Sequence, residues 1–400
     1  MLLTMKEKTR IEVVQAVMDG KIEINEAGRV LSRSVRQVFR MLKRLRDQGL
    51  EGLIHKNKGR PNPRKIRQAI RKKIVELARG KFSDINDTHL SELLLREEKI
   101  RVSRPTLRRI LRESGVPPKL KRRSVKQRSR RERKEAFGIM LQIDGSPHDW
   151  LEGRGPRLTL IGAKDDATSF VWARFEEAET TWGYMSLMQE IFSSRGLPLS
   201  LYSDRHTIFH SPKEATIVEQ INNLRPLTQF GRAMEELGIT IIKAWSAPAK
   251  GRIENQWKTF QDRLVVELRL AGVKTREEAN CFLQQFLKDY NRQFCVVARK
   301  QEPVFRLSPS PTHLDRILCL KETRTVAKDH TISFEGLVLQ IPPSKKFCSI
   351  ARQKVQVLQL KDGSVEIAYK KQTVARFCPE AVQRLVGKNN NEKSQLKKAA

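Results

Sequence analysis

No run of about 18 uncharged apolar residues occurs in the chain, and the opening MLLTMKEKTR holds an apolar stretch too short for a signal peptide. A cytoplasmic protein with no membrane partner is the expectation. Cysteine is scarce. Cys281, Cys295, Cys319, Cys348 and Cys378 are odd in number and dispersed without a CxxC pair, which argues against a disulfide framework and a zinc ribbon. Acid is short too, with 45 Asp and Glu against 78 Lys and Arg in 400 residues, for a formal net charge of +33. The 39% of hydrophobic residues still suffices for a buried core in at least one domain.

The positive charge is unevenly placed. Residues 1–135 carry 39 Lys and Arg against 16 Asp and Glu, a net +23. Such a block calls for a polyanion, and nucleic acid fits because neutralising its phosphates releases counterions. A membrane surface would call for one long basic amphipathic helix, which is not evident.

Apolar residues at helical spacing predict helices over Thr9–Asp19 and Ile24–Leu31. A third begins after Ser34, read as an N-cap with Gln37 completing a capping box, and its predicted apolar face is Val35, Val38, Phe39, Leu42 and Leu45. Arg36, Gln37, Arg40, Lys43 and Arg44 line the opposite face, as on a helix-turn-helix recognition helix entering the major groove. A turn-rich segment, His55–Arg64, follows, and its Lys58 and Arg60 could lie in a minor groove. The pattern then repeats, with helices expected over Ile66–Arg79, His89–Glu97 and a third capped by Ser103, offering Arg104, Thr106, Arg108 and Arg109 to DNA. Lys119–Glu135, with ten basic residues in 17, including Arg122 and Arg123, cannot bury itself and is expected to track a phosphate backbone.

From Ala136 the composition changes, and all five tryptophans lie between Trp150 and Trp257. FGIMLQIDGS reads as a strand ending at Asp144, LTLIGAKDDATSFVWARF as a hairpin turning near Asp165 and Asp166, and TWGYMSLMQEIFSSRG as a helix. LPLSLYSDRH then gives a strand ending at Asp204, and ITIIKAW another. SAPAKG turns into a long helix near Arg252. This is the element order of an RNase H-like α/β domain. Asp165, Asp166, His148 and Asp149 read as turn residues, and His206 and His210 as structural or substrate-facing groups.

The ordered triplet of IDGS with Asp144, YSDRH with Asp204 and APAKGRIENQWKTFQDRL with Glu254 resembles the signatures of the DDE transposase and retroviral integrase superfamily. The likeness is greatest to bacterial insertion-sequence transposases of the ISNCY kind. It implies that Asp144, Asp204 and Glu254 are catalytic and hold two Mg²⁺ ions, which Mn²⁺ could replace, with Asp144 bridging both. It also implies DNA as partner, as terminal inverted repeats and target, and a homo-oligomer on paired ends. Asp204 and Glu254 have 49 residues between them, wider than the integrase spacing, and the surplus fits the polar insertion His210–Thr228. Carboxylates crowded together need cations, while Lys250, Arg252 and Lys258 would hold the polyanion, so both signs belong in one segment. Arg263, on another helix face, is the weaker DNA-contact candidate.

The expected architecture is multidomain. Two N-terminal all-α helix-turn-helix units (1–58 and 59–118) and a basic linker (119–135) precede a central RNase H-like α/β catalytic domain (136–303). A small SH3-like β-barrel (313–380), with Asp362-Gly363 at a hairpin turn, and a disordered basic tail (381–400) follow. The alternative is a sequence-specific DNA-binding protein or repressor with an inactive integrase-like domain; a nuclease or resolvase acting on branched or hybrid substrates is a third reading.

Overall fold

The computed structural model of the chain describes residues 3–55, 58, 66–119, 131–212, 226–244, 251–343, 347 and 349–382. The expectations for Arg60, Arg122, Arg123 and Lys250, and for much of the insertion and of the tail, lie outside the described residues. The chain divides into two compact units, Met1–Lys81 and Phe82–Ala400.

The first unit contains α1 (Met5–Met18), α2 (Ile24–Val30), α3 (Val35–Gln48) and α4 (Gln68–Arg79). Val14 of α1, Ala27 of α2, and Val38, Leu42 and Leu45 of α3 share a core. Between α2 and α3 the Arg33 amide donates to the Gly28 carbonyl at 2.8 Å. A Cβ on Gly28 would stand 2.9 Å from the Arg33 carbonyl oxygen, so this tight turn requires a bare backbone. Two expectations are corrected here. Phe39 is 55% exposed, because the buried stripe runs Val38–Leu42–Leu45 and leaves Phe39 to one side. The Ser34 side chain makes no cap hydrogen bond; the Gln37 amide donates instead to the Ser34 carbonyl. Lys58 is ion-paired with Glu7.

The second unit opens with α5 (Asp87–Glu98) and α6 (Arg104–Glu113). Asn86 caps α5 by accepting from the Thr88 and His89 amides, each at 2.9 Å. Ser103 does not cap α6, since its hydroxyl meets Thr106 Oγ1 at 2.9 Å; Pro105 in the first turn pre-sets the helix.

A five-stranded sheet of order β3-β2-β1-β4-β5 follows. β1 (Met140–His148), β2 (Leu158–Asp165) and β3 (Val171–Glu176) form an antiparallel meander, while β4 (Ser200–Ser203) and β5 (Thr240–Lys243) run parallel to β1. α7 (Thr181–Arg195) and α8 (Gln229–Glu236) cover one face through Leu141, Ile143, Leu187 and Phe230. α9 (Gly251–Leu270) and α10 (Arg276–Phe294) cover the other through Leu160, Phe175, Phe260 and Leu283. β2 is therefore buried on both faces, which explains the apolar run Leu160–Ala163 at its centre.

β1 does not end at Asp144 as expected but continues to His148, paired with β2 alone beyond Gln142. With no second partner there, Pro147 can lack an amide without breaking a ladder.

α5 is fastened to α9 by a polar seam. Glu267 accepts from His89 Nε2 at 2.9 Å and from Arg96 at 3.0 and 2.7 Å. Arg263 donates twice to Glu92, at 2.6 and 3.1 Å. Asp262 pairs with Asn86, and with Lys119 at 3.0 Å.

Toward the C-terminus, α11 (Pro311–Ile317) packs into the core beneath α7 and α8. A four-stranded antiparallel sheet of order β11-β10-β9-β6 follows, formed by β6 (Leu320–Thr325), β9 (Lys354–Gln359), β10 (Val365–Tyr369) and β11 (Gln372–Phe377). β7 (Thr331–Phe334) and β8 (Leu337–Gln340) make a separate hairpin sharing its core. The expected SH3-like barrel is corrected: among the described residues no sheet closes, and β6 and β11 remain edges. The Asp362-Gly363 turn is present, with Gly363 at φ +82° and Asp362 Oδ1 accepting from the Ser364 amide at 2.9 Å.

Candidate active site and nucleic-acid faces

Where β1 parts from β4 the sheet opens. The last parallel pair is Gln142 with Tyr202; continued by two residues, this register sets Asp204, just past β4, opposite Asp144. Parallel strands side by side therefore deliver two carboxylates to the same mouth. Both charges act on Tyr184 of α7, whose hydroxyl is pushed well above its ordinary pKa by burial first, then by Glu179, Asp144 and Asp204. Asp204 Oδ1 accepts the His206 amide at 3.0 Å.

The third acid arrives on α9. Trp257 Nε1 donates to Asp144 Oδ2 at 2.9 Å, and Gln261 Nε2 to Ser146 Oγ at 3.1 Å, so α9 lies across the β1 segment that has lost its second strand. Glu254 precedes Trp257 by three residues and shares its side of the helix. Trp257 can seat there because Gly162, paired with Asp144 on β2, carries no side chain; a Cβ would lie 2.6 Å from the indole. Trp257→Phe keeps most of the packing and removes a bond to a carboxylate, so turnover should fall about tenfold, checked by kcat with a melting curve for folding.

Sequence reasoning missed Trp257, Gly162 and a further acid, Glu179. Tyr184 donates to Glu179 Oε1 at 2.5 Å, and a Cβ on Gly145 would stand 2.8 and 2.9 Å from the two Glu179 oxygens. The glycine of IDGS thus makes room for that carboxylate. An acid just ahead of the helix after the third strand was the available signal, obscured by Glu176 and Glu177.

Among the described residues no group of three or more His, Cys, Asp or Glu stands close enough to hold a metal ion. The chemistry of the predicted trio, carboxylate oxygen alone, suits Mg²⁺. His210 faces Ser203 Oγ at 3.2 Å, its pKa lowered by burial and by Lys243, and His206 Nδ1 accepts the Ile208 amide at 3.3 Å. Asp149 accepts the Gly153 amide at 3.1 Å and closes the turn after β1.

Arg36, Gln37, Arg40, Lys43 and Arg44 are all exposed on α3. On α6, Arg104, Arg108 and Arg109 are exposed, Arg109 standing 3.9 Å from Glu113, while Thr106 is half-buried. Lys258 is exposed one turn beyond Glu254. Arg252 instead turns inward to Asp166, and Arg263 is engaged by Glu92 and lies over Phe294. Asp165 and Asp166 do flank the hairpin turn, but both are buried, at 0% and 1% exposure.

Helix-turn-helix arms ahead of an α/β core define a DNA-binding class of protein. A helix-turn-helix domain family matches residues 9–62 and a homeodomain-like domain family residues 37–111. The chain is 34% identical over 373 residues to y4bF, a Sinorhizobium fredii protein carrying a transposase name, covering 92% of this chain and 80% of that one. It is 29% identical to the transposase for insertion sequence IS1202 of Streptococcus pneumoniae, covering 90% and 84%. A solved HTLV-2 integrase catalytic core in complex with magnesium matches 38% of the chain and 85% of its own length at 15% identity, with a TM-score of 0.29. The chain belongs to the transposase family of the first of these relatives.

Proposed function

We propose that the chain is the transposase of an insertion sequence. It binds the terminal inverted repeats, cleaves the phosphodiester at the element ends, and joins the freed 3′-hydroxyl ends to target DNA as a homo-oligomer on paired ends. The observation that supports this reading is the parallel β1–β4 pairing, whose last pair lies two residues before Asp144 and Asp204, together with the Trp257 bond that ties the Glu254 helix to Asp144. Asp144, Asp204 and Glu254 are the residues that would hold two Mg²⁺ ions. When bound, such ions activate the attacking water or 3′-hydroxyl and stabilise the departing 3′ oxygen.

The chain's own residues do the rest. Trp257 orients Asp144, so that carboxylate meets its ligand in one rotamer. Lys258, exposed beside Glu254, holds the DNA phosphate near the acids, and the arginines of α3 and α6 fix the register of the end on the protein. Attack on phosphorus breaks the bond to the 3′ oxygen during hydrolysis; in joining, the 3′-hydroxyl takes the place of water and the same site serves.

The test is a strand-transfer assay with purified full-length protein, labelled duplexes from the DNA flanking its own gene and a plasmid target. Joined products that require Mg²⁺ or Mn²⁺ and vanish in EDTA are expected. Specific end binding without cleavage under either metal would support the DNA-binding alternative, which the lack of a three-donor group among the described residues favours.

A further inference from the structure

We propose that Asp166 is a positioning residue for this site, one buried carboxylate that holds the Asp144 strand and the Glu254 helix in mutual register. The inference rests on the reading above, which makes those two acids the reacting centre. Asp166 follows β2 in the hairpin turn, and its side chain is fully buried. Gln142 Nε2 donates to it at 2.8 Å, from a position on β1 two residues before Asp144. Arg252 Nη1 donates at 2.6 Å, from the first turn of α9 two residues before Glu254. The other two donors come from the segment entering the domain, Arg131 Nη2 at 2.5 Å and the Lys134 amide at 2.9 Å. A single side chain thus joins the entering segment, β1 and the start of α9.

The start of α9 needs such an anchor. A Cβ on Gly251 would meet nothing within 4 Å among the described residues. Ile253, 1% exposed, fixes how deep the turn sits in the core. Trp257 and Phe260 seat the helix further along, and directional bonds at its first turn fix the angle at which that turn is held. Arg252 supplies them twice, through its guanidinium to Asp166 and through its carbonyl, which accepts from Lys164 Nζ at 3.4 Å. Lys164 also reaches Gln256 Oε1 one turn further on, at 3.0 Å. Rotation of this turn would swing Glu254 away from the mouth at Asp144, so the geometry of the acids depends on a group that touches neither of them. A buried carboxylate shared by two guanidiniums is also costly to neutralise, because both partners lose their counter-charge together. Arg252 is accordingly committed to the fold, although its place in a basic segment suggests a phosphate contact.

The full-length protein with Asp166→Asn keeps the shape of the side chain and removes its charge. Joining at saturating end DNA should fall about ten- to a hundredfold, while the Kd for the end duplex, measured in EDTA, stays within about twofold because no phosphate contact is lost. Arg252→Gln should do the same, and the double variant should be no worse than either single one, as expected for two residues acting through one link. If Asp166→Asn fails to fold by circular dichroism, Arg252→Gln carries the test. Turnover lost at unchanged Kd then supports the proposal, and a Kd that rises in parallel overturns it by making Arg252 a phosphate ligand. Wild-type joining by Asp166→Asn, with Asp144→Asn dead, would sink the proposal and leave the transposase reading standing. Joining unimpaired by Asp144→Asn would sink the reading itself.

Discussion

Asp144→Asn, Asp204→Asn and Glu254→Gln should each lower end cleavage and joining by roughly a thousandfold, about 4 kcal/mol of barrier, while binding of the end duplex changes only a few-fold. The asymmetry follows from where charge is placed. The +23 carried by residues 1–135 supplies the sequence-independent attraction to phosphates, and none of the three acids lies in that stretch. Removing one acid therefore leaves the electrostatics of binding nearly intact, and even favours DNA slightly by deleting a negative charge. The chemistry loses an oxygen donor at the reacting centre. Gel-shift titration and the strand-transfer assay, run on the same preparations, separate the two effects. Loss of end binding in all three variants would mark them as structural residues.

Glu267→Ala should cost about 2–4 kcal/mol of stability, read as a lower denaturant midpoint, because it strips His89 and Arg96 of their shared partner. Burial on its own pushes the Glu267 carboxyl upward, but the bonds from His89 and Arg96 outweigh it and bring its pKa down to about 2 from an ordinary 4.5. The native carboxylate thus binds its proton less readily than the unfolded one. Its contribution is fully present above pH 4.5 and is lost as pH falls through about 2. At most it amounts to about 3 kcal/mol. Denaturant unfolding of wild type and variant across that range should converge at the acid end. A gap that persists unchanged to the lowest pH would contradict the assignment.

Much of this architecture was legible because its signals are local. The order of elements along the chain, the hairpin at Asp165 and Asp166, and the placement of Asp204 and Glu254 at element ends follow from runs of a few residues. What escaped has no local signature. β6 reads LKETRT, an edge strand whose side chains are mostly exposed, so no alternation of apolar residues marks it. Phe39 shares the helical period of its neighbours and misses their stripe by a single position. The turn reading of Asp166 was correct for its backbone and silent about its carboxylate, since Arg131 and Arg252 reach it from 35 and 86 residues away. The extension of β1 past Asp144 depends on β2 pairing with it as far as His148, a property of the partner strand and not of IDGSPH.

The α5–α9 seam bears on how such proteins could exchange their DNA-reading parts. A recombination crossover after residue 118 would bring in a foreign α5 against this α9, leaving Glu267, Asp262 and Arg263 facing side chains not matched to them. A crossover ahead of Phe82 would carry α5, α6 and α9 together and preserve every pair across the seam. The inheritable block is accordingly longer than the five-stranded sheet, and any specificity that α6 carries should travel with it.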